Sequence, residues 1–285
     1  VKPVFLPIAE HLGRVALRRG GLSSTYVSTA LAKLHTYDGR GQGHLPTTVF
    51  LHGLGSAATP FGPVLIRMRR HVRRIVAPDF PGHGFSEHTK EPLTPDRLFD
   101  AVASVLDGLV DEPAVLVGNS LGGAVALRYA ITRPSRVRAL VLLSPAGAKV
   151  SDSDWRELKA LFDIRTRAQA RAFVERIYHE PPWFIPLLAH EFPAAFARRA
   201  VRELLESATT AHAPAPESLA SLSMPILLLW GKSERLLPRA HLEWFAAHLP
   251  AHTIIEEPDG IGHCPHFDAP GVLARRIVRF VRSAA

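Results

Sequence analysis

Apolar residues gather with little alternation in five short runs, 47–51, 72–77, 114–117, 137–143 and 226–230, and helical patterns separate them. A strand with one face in water alternates apolar and polar side chains. A strand buried on both faces does not, so these runs suit the middle of a parallel sheet. Helical patterns at 95–109, 121–132, 238–248 and 270–282 supply covering layers and the crossovers that parallel strands require. A last strand is expected at 253–256. Upstream, 23–37 alternates enough for one or two strands ending in a turn at Asp38-Gly39, and 39–46 reads as a glycine-rich loop. The fold class this predicts is α/β, with an open, mostly parallel sheet flanked by helices.

The rhythm breaks from 149 to 216, where helical patterns rich in aromatics, from Trp155 to Phe196, replace any strand-like run. That is too long for a simple crossover. It predicts a helical cap, 149–216, inserted into a core made of 1–148 and 217–285. At the N-terminus, Phe5, Ile8, Leu12 and Val15 recur at helical spacing with Arg14, Arg18 and Arg19 among them, so 1–20 reads as an amphipathic helix. Charge interrupts its apolar stretch and no small-residue cleavage site follows, unlike a secretory leader. Packing of its apolar face on the domain's own core is the expectation, and contact with a membrane surface is the alternative.

With 285 residues, 47% hydrophobic and 21% charged, the chain has the make-up of a folded protein. Its net charge of +8 raises nucleic acid as a partner, but arginines such as Arg67, Arg70 and Arg73 are scattered without a binding motif beside them, so none is expected. One cysteine, Cys264, allows neither an intrachain disulfide nor a cysteine metal cluster. That fits a cytoplasmic protein. The sequence begins at Val1 and leaves export open, as it leaves oligomeric state.

The segment Gly118-Asn119-Ser120-Leu121-Gly122-Gly123 lies directly between an apolar run and a helical pattern. A serine hydroxyl becomes a nucleophile only when a base takes its proton and the carbonyl is within reach. A sharp strand-to-helix turn projects the side chain above the sheet edge, and it needs small neighbours on both sides. Ser120 is therefore the candidate nucleophile. His263, in Gly260-Ile261-Gly262-His263, follows the last strand and is the candidate base, with His83 and His266 as rivals. A His263/His266 metal pair has no evident third ligand, so no metal is expected. Glu234, just past 226–230, is the candidate carboxylate that orients the imidazole, and the order Ser120, Glu234, His263 suits nucleophile, acid and histidine. Two N–H donors are needed for the oxyanion. Leu121, after the nucleophile, and Leu54, in His52-Gly53-Leu54-Gly55, are the candidates.

Together the His52-Gly53 loop, the Asp79 to Ser86 turn, the Ser120 elbow, the Gly231 to Pro238 segment and the Gly262-His263 loop resemble the α/β-hydrolase superfamily in order and spacing, over almost the whole chain from residue 24. The elbow resembles that of bacterial esterases and lipases. The resemblance implies an eight-stranded, mostly parallel sheet, a Ser–acid–His triad and no cofactor. Two positions depart from it: Glu234 stands where this branch usually has Asp, and Cys264 follows the histidine where carbon–carbon hydrolases usually have Trp. The expected activity is hydrolysis of small-molecule carboxylic esters with an apolar acyl group through an acyl-enzyme. The alternatives are a carbon–carbon bond hydrolase, thioesterase or lactonase with the same triad, or a silent ligand-binding protein of this fold.

Overall fold

The computed structural model describes residues 3–284, apart from the side chains at 186 and 187. Residues 1 and 2 of the expected N-terminal helix, and residue 285, lie outside the described residues. Eight strands form one sheet: β1 (Ser23–Ser28), β2 (Lys33–Arg40), β3 (Thr48–Leu51), β4 (Arg74–Pro78), β5 (Ala114–Asn119), β6 (Val137–Leu143), β7 (Ile226–Leu229) and β8 (Ile254–Glu256). Their order is β1-β2-β4-β3-β5-β6-β7-β8. β2 pairs antiparallel with both β1 and β4, and every other pairing is parallel. Helix α1 (Phe5–Arg19) precedes the sheet, and α2 (Gly62–Met68), α3 (Pro95–Leu109) and α4 (Leu121–Thr132) connect its first strands. Between β6 and β7 come α5 (Asp152–Leu161), α6 (Arg167–Ile177), α7 (Ile185–Leu188), α8 (Phe192–Phe196), α9 (Arg199–Ser207) and α10 (Pro216–Ala220). The chain closes with α11 (Arg239–His248), α12 (Pro265–Asp268) and α13 (Pro270–Ser283).

The flat hydropathy of the central runs has a simple cause. Along β6, Ala139, Val141 and Leu143 enter one buried cluster, and Leu140 and Leu142 enter another on the opposite face. β5 divides in the same way, with Val115 and Val117 opposed to Leu116. α2 and α13 cover the first face through Met68, Leu273 and Ile277, while α3, α4 and α11 cover the second through Leu106, Leu127 and Phe245. Each fully buried side chain of this kind contributes about 1.5–3 kcal/mol. From Ala139 to Leu143 every successive residue of β6 has a core to enter, so past Arg138 no polar position is left to mark a period of two.

Three sequence expectations change. Asp38 and Gly39 form no turn; β2 runs through them, and they pair with Val76 and Ile75 of β4. Arg74 grips the Asp38 carboxylate with Nε and Nη2 at 2.8 and 2.7 Å, and a Cβ on Gly39 would lie 2.7 Å from the Gly21 carbonyl oxygen, so this glycine serves a close approach. Second, α2 is an additional helix, seven residues long and too short to show a period. Third, most of the apolar stripe of α1 does not pack on the core: Phe5, Ile8 and Leu12 are 54%, 51% and 61% exposed, and only Val15 is half-buried. The helix instead lays its other face down, with Leu17 buried. A Cβ on Gly13 would come within 2.4 Å of the Thr59 methyl, so the axis lies too near the body for large side chains on that side.

A polar chain ties these outer elements to the sheet. Arg14 Nε–H donates to Ser24 Oγ at 2.8 Å, Ser24 Oγ meets His35 Nε2 at 2.7 Å, and His35 Nδ1–H donates to Asp79 Oδ2 at 2.8 Å. Asp79 is fully buried and also accepts the N–H groups of Ala58 and Phe85. Burial alone would raise its carboxyl, but the hydrogen bond from His35, the nearby His52 and the Ala58 N–H outweigh burial and hold it below the usual carboxylate value. Such a group adds stability above its unfolded pKa and loses it as pH falls toward the lower folded value. Replacement of Asp79 by alanine is therefore expected to cost about 3–5 kcal/mol in a denaturant titration at neutral pH. It should also flatten the fall in melting temperature that the wild type shows on acidification through the carboxylate range; an equally steep fall in Asp79→Ala would count against this assignment.

Candidate active site

The site is built where β5 passes into α4. Ser120 takes φ 54° and ψ −118°, a left-handed backbone that a non-glycine residue adopts only under constraint. The constraint is close packing. A Cβ on Gly118 would sit 2.3 Å from the Gly122 carbonyl oxygen, and one on Gly122 only 2.1 Å from that of Leu51. The two glycines thus let α4 start against the ends of β3 and β5. The Ser120 carbonyl accepts N–H groups from Gly123 and Ala146, which ties the turn to the chain leaving β6. Leu121 is the first residue of α4, so its N–H is among those a helix leaves without an intrahelical partner.

His263 and Glu234 come together. The His263 Nδ1–H donates to Glu234 Oε2 at 2.7 Å, with both side chains buried. A carboxylate only accepts, so Nδ1 carries a proton, and in the neutral ring the lone pair is on Nε2. The extra methylene of glutamate is absorbed locally, because Oε1 turns back to accept the N–H groups of Leu236 and Leu237 at 2.8 and 3.0 Å. Burial by itself would raise the Glu234 carboxyl; its pairing with His263 and the Leu237 N–H outweigh that and hold it below the usual range. Glu234 is an anion at neutral pH. The rival histidines stand elsewhere: His83 bonds the Pro81 carbonyl, and His266 stacks on Phe61 at 4.1 Å between ring centroids. Burial pushes both down to about 3, so they are neutral.

Asn119 joins the elbow to the histidine loop. Its Nδ2 donates to the carbonyls of Leu143 at 3.0 Å and His263 at 2.9 Å, so one amide holds β5, β6 and the backbone of His263 in register. Asp268 holds the loop from the other side, accepting the N–H groups of Gly262 at 2.8 Å and His179 at 2.9 Å. Neither role is evident from sequence: Asn119 lies inside the elbow motif, where it reads as filler, and Asp268 becomes a partner only once α6 ends beside the loop.

The loop after β3 faces Ser120, since a Cβ on Gly53 would lie 3.4 Å from that of Ser120. His52 fixes this loop. The Phe80 N–H donates to His52 Nε2 at 2.9 Å, so Nδ1 carries the ring proton and donates it to the Gly53 carbonyl at 2.8 Å. In a trans peptide the C=O and N–H point opposite ways, so the Gly53 carbonyl turned toward His52 leaves the Leu54 N–H on the far edge. The Leu54 side chain packs with Phe162, Phe173 and Phe196 from the helices between β6 and β7, and Phe196 lies against Gly55. On the other flank, a cleft of about 470 Å³ runs between α3, α4 and the tail of that insert, lined by Phe99, Leu121 and Val125 and by the paired Asp96 and Arg128.

The sequence pattern of an alpha/beta hydrolase family matches residues 48–276. The chain is 31% identical over 260 residues to a pimeloyl-[acyl-carrier protein] methyl ester esterase of Xanthomonas campestris pv. campestris, an alignment covering 84% of this chain and 96% of that one. Among solved structures, a membrane phospholipase A described as a bacterial virulence factor superposes with a TM-score of 0.84 at 22% identity, covering 98% of this chain and 92% of its own. Carboxylesterase CesB (YbfK) from Bacillus subtilis superposes with a TM-score of 0.76 at 22% identity, covering 96% and 99%. The eight-stranded sheet, its strand order and the match over residues 48–276 lead to one family, and the chain belongs to it: it is a member of the alpha/beta hydrolases.

Proposed function

We propose that the protein hydrolyses carboxylic esters with an apolar acyl group, using Ser120 as nucleophile, His263 as base and Glu234 as the acid that orients it. The observation that carries this reading is the buried 2.7 Å contact between His263 and Glu234, on a loop that Asn119 fastens to the nucleophile elbow. The esterase relative at 31% identity supports ester chemistry at the same fold. His263 Nε2 takes the Ser120 proton as Oγ attacks the carbonyl carbon, and the oxyanion is held by the N–H groups of Leu54 and Leu121. Collapse of the tetrahedral intermediate expels the alkoxide, which receives the proton from His263. Water, deprotonated by the same ring, then releases the acid and frees Ser120. Glu234, held ionised, balances the imidazolium of each transition state.

The helices between β6 and β7 act as a cap in this reading, and the acyl chain lies between them and the edge of the sheet that carries Ser120. Cys264, next to the base, does not compete as a nucleophile: burial, with the Glu234 and Asp268 charges nearby, pushes its thiol far up. A thioester, a lactone or a carbon–carbon bond flanked by a carbonyl could be opened by the same triad. An ester carried on an acyl-carrier protein, the kind of substrate the relative is named for, is the narrower form of the main reading.

Three outcomes test this. On chromogenic esters, Ser120→Ala is expected to lower kcat by about a million-fold, and retention of wild-type turnover would remove Ser120 from the chemistry. Replacing Glu234 by glutamine keeps the shape but loses control of the imidazole tautomer, so kcat should fall about ten-thousand-fold with KM little changed. A near wild-type kcat would point to a different carboxylate. Across acetyl, butyryl and hexanoyl esters, kcat/KM should rise up to about fourfold per added methylene until the acyl site is full. A series that is flat, or that falls from acetyl to hexanoyl, would count against an apolar acyl group.

A further inference from the structure

From the exposed face of α1 we infer that the protein docks on the surface of an anionic phospholipid bilayer, with α1 lying in the plane of the headgroups. Phe5, Ile8 and Leu12 recur at intervals of three and four and all stand out in solvent, with Val4 beside them 54% exposed. Soluble proteins expose single apolar side chains freely, but a contiguous row on one helix marks a surface that something covers. The charges beside the row are of one sign. Arg18 and Arg19 end the helix, both exposed and, among the described residues, without an ion pair, while Glu10, the one acid in α1, lies on the half-buried side. Apolar side chains with flanking arginines and no exposed acid are what a surface of acyl chains under anionic headgroups attracts.

The row is held ready by the protein itself. α1 lacks a side-chain cap of its own. Glu191, buried in the segment between α7 and α8, supplies one, accepting the N–H groups of Val4, Phe5 and Leu6, each at 2.7 Å. A short free peptide would have to fold on reaching the membrane; this helix has no such ordering cost at contact. The chain that brings Glu191 also carries Trp183 and Phe184 into solvent, the first 82% exposed, with the two rings edge to face. Tryptophan is a side chain favoured at the membrane–water boundary. Glu191 is five residues from Phe196, which lies on the loop facing Ser120, so docking through α1 sets the insert beside the source of any lipid ester. At fifteen residues α1 falls short of the ~20 needed to cross a bilayer, so it lies on the surface.

A second copy of the chain is a poorer occupant, since two molecules each carrying +8 repel one another. A soluble acidic protein offers the charge but no deep apolar phase for four aliphatic and aromatic side chains.

The test is co-sedimentation of the full chain with vesicles of phosphatidylcholine alone or mixed in equal parts with phosphatidylglycerol, and it needs no turnover. Binding is expected to the mixed vesicles, to weaken with added salt, and to be far weaker with phosphatidylcholine alone. Exchanging both Ile8 and Leu12 for serine should weaken it at least about tenfold. Arg18→Glu with Arg19→Glu should do the same through charge, and serves as the second probe if the first pair disturbs folding. All four side chains are exposed, so turnover of a short soluble ester should be unaltered. No sedimentation with anionic vesicles, equal binding to both compositions, or binding indifferent to both pairs would overturn the inference. So would a dimer in solution that the serine pair dissociates, which would make a second copy the occupant.

Discussion

The backbone of Ser120 is the constraint on which the rest is arranged. A side chain at φ 54° is strained by about 1–3 kcal/mol and persists only where its surroundings overdetermine it. Here they do so through contact: α4 starts so close to β3 that a methyl group at position 122 would occupy the place of the Leu51 carbonyl. β5 sits between β3 and β6, buried on both faces, and can therefore hold such a turn against relaxation. The strain is carried by Ser120 and by Ser144, at φ 40° just past β6, and the packing of two cores offsets it.

Polar groups around the elbow follow one economy. Each is held by its neighbours before substrate arrives, so little reorganisation remains for the chemical step. His52 is the clearest case. It looks like a catalytic histidine by type and place, yet both ring nitrogens are committed to backbone, and its work is to set the plane of one peptide. Asn119 does the same for the backbone of His263. Glu234 does two tasks with two oxygens, one for the His263 ring and one for its own loop.

Much of this was legible before any coordinates. The central strands were readable because burial on both faces writes itself as unalternating hydropathy, and the observed bounds of β3 to β8 lie within two residues of the apolar runs. The elbow glycines were readable because no other residue fits. What escaped has equally physical reasons. Gly39 has the composition of a turn, but its smallness serves an approach by Gly21 that is invisible from local sequence. The periodicity of α1 gave the helix but not which way it faces, since an apolar stripe has the same pattern whether it meets a core or a partner. Asp268 and Glu191 act on residues 89 and 185 to 187 positions away, and no local motif encodes such a pairing.

Cys264 adds a consequence of a different kind. The one thiol of the chain is the residue after His263, sealed between Asn119 and the end of α6, and its backbone N–H is bound to the Ile177 carbonyl. Held protonated and buried, it reacts with an alkylating reagent only slowly while that seam is shut. Its rate of labelling is then a clock for the opening of the histidine loop against the insert, read at a single atom without any added probe.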